Sequence, residues 1–208
     1  GGINVADIDW LKALRELCTE NGIIMIVDDI QVGNGRTGKF FSFERAGIVP
    51  DIVILSKSIS GFGLPMSLLL IKPELDIFKP AEHNGTFRGN QLAFVGCKAG
   101  LEYFVQNKLD EKVQRKEKII SSFIESEICT LEERLSHRGI GFIHGIDFNL
   151  IAPAKAIDCI HKAFDRHLIM EVAGRHDGVI KIMPPLTISD DVLIEGLEII
   201  RETVKSVL

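Results

Sequence analysis

Three short runs of uninterrupted apolar residues constrain this chain more than any other feature: Ile23-Ile24-Met25-Ile26-Val27, Ile52-Val53-Ile54-Leu55 and Ser67-Leu68-Leu69-Leu70-Ile71. A strand with one wet face alternates apolar and polar residues. A run rich in β-branched residues without alternation is the pattern of a strand covered on both faces. Each run stops at a polar break, Asp28-Asp29, Ser56-Lys57-Ser58 and Lys72-Pro73, so each is strand-length and too short to cross a bilayer. Helical periodicity surrounds them. Asp7 to Glu20 spaces Ile8, Leu11, Leu14, Leu17 and Cys18 along one helix face and closes on Asn21-Gly22. Asn90 to Val105 predicts a second helix, interrupted in composition by Gly96 and Gly100, and Asp110 to Ile128 a third, with Val113, Ile119, Ile120 and Phe123 inward. The expectation is an α/β sheet with covered faces.

After Glu125 the texture changes. Phe142 to Phe148, Leu168 to Val172 and Val179 to Met183 read as strands, while Ala156 to His167 and Ser189 to Val207 read as helices. That order predicts a partial large domain over 1–124 and a smaller α+β domain over 125–208. Lys and Arg number 24 against 29 Asp and Glu, with no run of like charge, so neither a dedicated nucleic-acid surface nor an anionic-membrane surface is expected. Four scattered cysteines form no C-x-x-C pair, which points to no zinc knuckle or disulfide framework and to a reducing, cytoplasmic setting. Residue 1 is Gly, and the expectation is a piece of something longer.

Gly33-Asn34-Gly35-Arg36-Thr37-Gly38 satisfies G-x-G-x-x-G after a predicted strand. A dinucleotide site needs the last glycine to open a long helix. Here the glycines lead into Lys39-Phe40-Phe41-Ser42-Phe43, and Asp28 and Asp29 would repel an incoming dianion, so a loop needing tight backbone geometry competes with that reading. Asp28 ends one strand and Lys57 ends another, in the region where open α/β sheets keep their ligands. A partly desolvated amine beside a carboxylate suits pyridoxal phosphate, which takes a Lys for its aldehyde and an anion for its ring nitrogen. A helix cap and a surface lysine are the plain alternative. Thr86-Phe87-Arg88-Gly89-Asn90 offers phosphate donors or a helix cap. Asp158, His161 and Asp165 share a helix face without a further cluster to complete a metal site, and His83 and His144 have no nucleophile to serve.

Taken together, Asp28-Asp29-Ile30-Gln31-Val32-Gly33-Asn34-Gly35-Arg36-Thr37-Gly38, Pro50-Asp51, Leu55-Ser56-Lys57 and His83 to Asn90 resemble, in order, the motifs of class III aminotransferases. With Gly61-Phe62-Gly63-Leu64-Pro65-Met66, they are most similar to the diaminobutyrate–2-oxoglutarate aminotransferases of the ectoine pathway. The resemblance implies the aspartate-aminotransferase-like fold (PLP fold type I), the cofactor pyridoxal 5'-phosphate and a homodimer with a shared active site. It implies that Lys57 binds the cofactor covalently and moves a proton, that Asp28 pairs with the ring nitrogen, and that Gln31 lies near the phenolic oxygen. Ile30 would lie against a ring face, and Thr86 would reach the partner subunit's cofactor phosphate. The implied reaction turns L-glutamate and L-aspartate 4-semialdehyde into 2-oxoglutarate and L-2,4-diaminobutanoate, with ornithine or 4-aminobutyrate as neighbouring substrates. Lys181 stands where many members carry an Arg that clamps the substrate carboxylate, and a Lys there gives a point charge without the planar fork. Members also carry an N-terminal half with a glycine turn and an aromatic that bind the cofactor. The expectation is therefore the C-terminal portion of such an enzyme, with a catalytically incompetent fragment serving as a structural or dimerising piece as the alternative.

Overall fold

The computed structural model describes residues 1–61 and 63–208; Phe62, within the Gly61 to Met66 motif, lies outside the described residues. The chain forms two compact units, Ala6–Asp110 and Glu111–Leu208, the latter completed by Gly1–Val5. Among the described residues, no helix is long and apolar enough to cross a membrane.

In the first unit, α1 (Ile8–Glu20) begins where the Asp7 carboxylate accepts from the backbone N–H of Asp9 at 2.8 Å and of Trp10 at 3.1 Å. Three strands follow: β1 (Ile26–Asp28), β2 (Ile52–Ser56) and β3 (Ser67–Ile71). β1 runs parallel to the central β2, and β3 antiparallel to it. Asp51, just before β2, locks this end of the sheet. Its carboxylate accepts from Arg15 Nη1 on α1, Lys72 Nζ after β3 and the Met25 backbone N–H before β1, each at 2.7 Å.

The expected covering of all three strands is not what the structure has. Val53 and Leu55 are buried on one face of β2, where Leu11 and Leu14 of α1 pack, while Ile52 and Ile54 on the other face are only half-covered. β1 is three residues long, and Ile23, Ile24 and Ile26 are 52%, 51% and 56% exposed. β1 and β3 are the two edges of the sheet, and burial falls away from its centre. The unit ends with α2 (Gln91–Gln106), capped by Asn90, whose side chain accepts from Leu92 N–H at 3.0 Å.

The second unit holds most of α3 (Leu109–Phe123), which continues through a π-helical turn at Ile124–Ile128. Then come β4 (Ser136–Ile140), β5 (Ile143–Asp147), α4 (Ala154–Asp165), β6 (Glu171–Ala173), β7 (Val179–Ile182) and α5 (Asp190–Val207). The strands form an antiparallel sheet in the order β4-β5-β7-β6. Its core gathers Val113, Ile120, Ile124 and Ile128 with Phe142, Ile146, Phe148, Ile180, Leu197 and Val204. Because Val113 and Ile120 of α3 belong to that core, the packing unit starts at Glu111, ahead of the change of composition near residue 125. Gly1–Val5 joins it through Arg138 Nε, which donates to the Gly2 carbonyl at 2.7 Å. Gly2, at φ +74°, fits because a Cβ there would stand 3.1 Å from Gly174 Cα.

Candidate active site

The parallel register pairs Asp28 on β1 with Ile54 on β2, and the Asp29 N–H donates to the Ile54 carbonyl at 3.0 Å. Lys57 follows three residues later. Adjacent strands lie about 4.8 Å apart, so the two functional groups leave the sheet at the same end of neighbouring strands. Both side chains are exposed. The desolvation expected for Lys57 is therefore not present, because the strand has ended and the chain turns outward at a left-handed φ of +52°. A non-glycine residue there costs about 1–3 kcal/mol and persists where its surroundings impose it.

After β1 the chain bends at once. Asp28 Oδ1 accepts from the Ile30 N–H at 3.0 Å, and Ile30 and Gln31 follow half-buried. Asp29 points the other way and is fully buried; its carboxylate accepts from the Ser42 N–H at 2.9 Å and from the Ser42 hydroxyl. Burial raises the Asp29 pKa, against the lowering by the two Ser42 bonds. The Gly33 N–H donates to the Asp29 carbonyl at 3.0 Å, so Asp29 pins both ends of the glycine loop. It stands as a support residue whose role its neighbour Asp28 obscured in the sequence. Gly35, at φ +90°, has no room for a Cβ because the Phe104 ring of α2 fills that space. The loop runs into a single 3-10 turn at Glu44–Ala46, so no long helix receives a pyrophosphate and the glycines serve close packing.

Residues 76–92 are all exposed, with Phe87 at 97%, and this stretch carries Thr86. Asn90 is the cap of α2, while Arg88 Nη1 lies 2.6 Å from His83 Nδ1 and the His83 ring stacks on Phe78. Lys181 belongs to the other unit. It sits on β7 opposite Glu171 of β6, with Nζ 2.5 Å from the Glu171 carboxylate. His144 is fully buried: Nε2 donates to the Gly141 carbonyl at 2.8 Å and Nδ1 accepts from His137 Nε2 at 2.9 Å. With both nitrogens used, His144 serves packing rather than proton transfer. Asp158, His161 and Asp165 lie exposed on α4.

An amine and a carboxylate open to solvent at adjacent strand ends form the donor set that pyridoxal phosphate requires for its aldehyde and ring nitrogen, so these residues fit the group.

Comparison with known proteins identifies relatives of this chain. The diaminobutyrate–2-oxoglutarate transaminase of Bordetella parapertussis is 50% identical over 210 residues, which cover 100% of this chain and 48% of that protein. The chain spans about half the length of the curated relatives it matches. Among solved structures, acetylornithine aminotransferase from Elizabethkingia anophelis superposes with a TM-score of 0.86 at 30% identity, covering 97% of this chain and 53% of that one. The ornithine aminotransferase of Toxoplasma gondii, which shows partial occupancy of PLP at its active site, gives 0.90 at 27% identity over 99% of this chain and 49% of its own. A family model described as Aminotransferase class-III matches residues 1–204, so the chain belongs to the class-III aminotransferases.

Proposed function

We propose that this chain is part of a pyridoxal-phosphate-dependent aminotransferase that converts L-glutamate and L-aspartate 4-semialdehyde into 2-oxoglutarate and L-2,4-diaminobutanoate, acting in the cytoplasm as a homodimer. The observation that carries the reading is the register of β1 and β2, which brings Asp28 and Lys57 to one end of the sheet, in a chain 50% identical to a diaminobutyrate transaminase. When bound, pyridoxal phosphate supplies an electron sink for the pair left at the substrate Cα. Lys57 anchors it through Nζ, and the same nitrogen carries the proton to and from the reacting carbon. The Asp28 carboxylate holds a proton on the ring nitrogen, because an adjacent anion favours the cationic form. With the cofactor bound, Gln31 would hold its phenolic oxygen, and Ile30 would cover a ring face and exclude water there.

Thr86 donates from its hydroxyl to the phosphate held by the partner subunit. The stretch that carries Thr86 is exposed with Phe87 at its surface, which supports a role against another surface. Lys181, which the resemblance implies for the substrate carboxylate, offers a point charge and is paired with Glu171. Borohydride reduction of the full-length protein with pyridoxal phosphate, followed by peptide mapping, is expected to place the label on Lys57; a label on another lysine refutes the assignment. The likeness to ornithine and acetylornithine aminotransferases favours a second reading, an ω-amino substrate such as ornithine or 4-aminobutyrate. Comparing kcat/KM for aspartate semialdehyde, ornithine and 4-aminobutyrate decides between the two.

A further inference from the structure

A glycine inside a helix costs about 1 kcal/mol relative to alanine, so Gly100, in α2, requires a physical reason. The reason is the turn that carries Lys57. That turn runs from Lys57 to Ser60 and closes on Gly61 at φ +70°. A Cβ on Gly61 would run into the Gly96 carbonyl oxygen and stand 3.2 Å from Gly100 Cα, and a Cβ on Gly100 would stand 2.9 Å from Gly61 Cα. These are contacts between backbones, which no side-chain rotation relieves. The turn is also braced from inside and from behind. The buried Ser60 hydroxyl donates to the Lys57 carbonyl at 3.3 Å and accepts from the Gly63 N–H at 3.2 Å. The Asn34 amide, in the glycine loop, donates to Ser58 Oγ at 3.4 Å.

We propose that the Gly96 carbonyl and Gly100 form a seat for Gly61, and that Gly100 and Ser60 are positioning residues that hold Lys57 in its left-handed conformation and set where its amine stands relative to Asp28. The inference rests on the reading of Lys57 as the cofactor's anchor. It also accounts for an otherwise unfavourable backbone: Lys57 keeps φ +52° because the turn is clamped between the glycine loop and α2.

Gly100→Ala tests this directly, since alanine improves the helix while its methyl forces the turn away by about half an ångström to reach an ordinary carbon–carbon contact. A misplacement of 1 Å costs roughly 10²-fold in reactivity, so half of that costs about tenfold. In the full-length protein stripped of cofactor and re-exposed to pyridoxal phosphate, borohydride-trapped labelling is followed by peptide mapping from pH 7 to 9. For Gly100→Ala, labelling at Lys57 is expected to fall about tenfold with a displaced pH profile, while labelling at the exposed Lys98 is unchanged. Ser60→Ala, which leaves the seat intact, is expected to give a smaller fall in the same direction and faster amide exchange over Ser58 to Gly61; it decides the matter if Gly100→Ala does not fold. Unchanged Lys57 labelling and pH profile in a folded Gly100→Ala protein overturn the proposal. A wild-type protein labelled at some other lysine overturns the reading of the active site itself, so the two failures are told apart.

Discussion

Replacing Asp51 with Asn is expected to destabilise the protein by about 3 kcal/mol at pH 7. Asp51 accepts three hydrogen bonds of 2.7 Å, two of them from cations. A net hydrogen bond to a charged group is worth about 1.5–3 kcal/mol. Arg15 and Asp51 are each only 14% exposed, so that pair merits the full range. The Lys72 side chain is 36% exposed, and screening reduces its share to about 0.5–1 kcal/mol. Asparagine keeps an acceptor for the Met25 N–H and loses the charge facing both cations, which gives about 2–4 kcal/mol in total. The pH dependence follows in sign. The Asp51 carboxyl is held well below the usual carboxylate range, first by the bond from Lys72, then by those from Met25 and Arg15. A depressed folded pKa stabilises fully above the unfolded value, near ~4, and that stabilisation drains away as pH falls toward the folded value. Urea unfolding of both proteins at pH 7 and pH 3.5 measures the gap. A gap below ~0.5 kcal/mol at pH 7, or one that stays constant into acid, refutes the reasoning and makes the cluster no more than a solvated surface group.

In the second unit, burial pushes the His144 pKa down to about 4, so only the unfolded chain takes up a proton between pH 6.5 and that value. Stability is expected to be complete above pH 6.5 and to fall by about 1.4 kcal/mol per pH unit below it, and His144→Gln flattens that slope in urea titrations at pH 7 and pH 5. Gly196→Ala in α5 is expected to stabilise by about 0.5–1 kcal/mol, read as a higher melting temperature, because a Cβ there meets only Leu168 Cδ1 at 4.0 Å. Ile120→Ala is expected to cost about 2–5 kcal/mol by thermal denaturation at its fully buried position, against less than ~0.5 for Ile169→Ala at 82% exposure.

Asp28 and Lys57 were legible because each interrupts an apolar run, and a polar break at a strand end marks the sheet edge where ligands are held. What the runs did not reveal was how much of each strand is covered: Ile23, Ile24 and Ile26 look like core and are half exposed. Continuous apolarity reports what a strand is suited to touch, and within these residues β1 has a neighbour on one side only. β4 was missed because Ser136-His137-Arg138-Gly139 lacks any apolar pattern. Its pairing comes from β5, and Gly139 is required there because a Cβ would strike the His144 ring. Gly96 and Gly100 look like breaks in a helix when read along the chain and become a surface when read across it. Asp51 stood out only as half of a Pro-Asp pair, since its three partners lie 21 to 36 residues away.

The bond from Arg138 to the carbonyl of Gly2 spans 136 residues, and it bears on how the molecule is made. During synthesis Gly1–Val5 leave the ribosome well before Gly174 and Val179 exist to receive them. At typical elongation speeds the wait is on the order of 10 s, long enough for the residues in between to fold around β2. The second unit can be completed only once both sides of that contact have been made. Closing so distant a contact is entropically slow, so the packing of Gly2 against Gly174 is expected to form late within this unit.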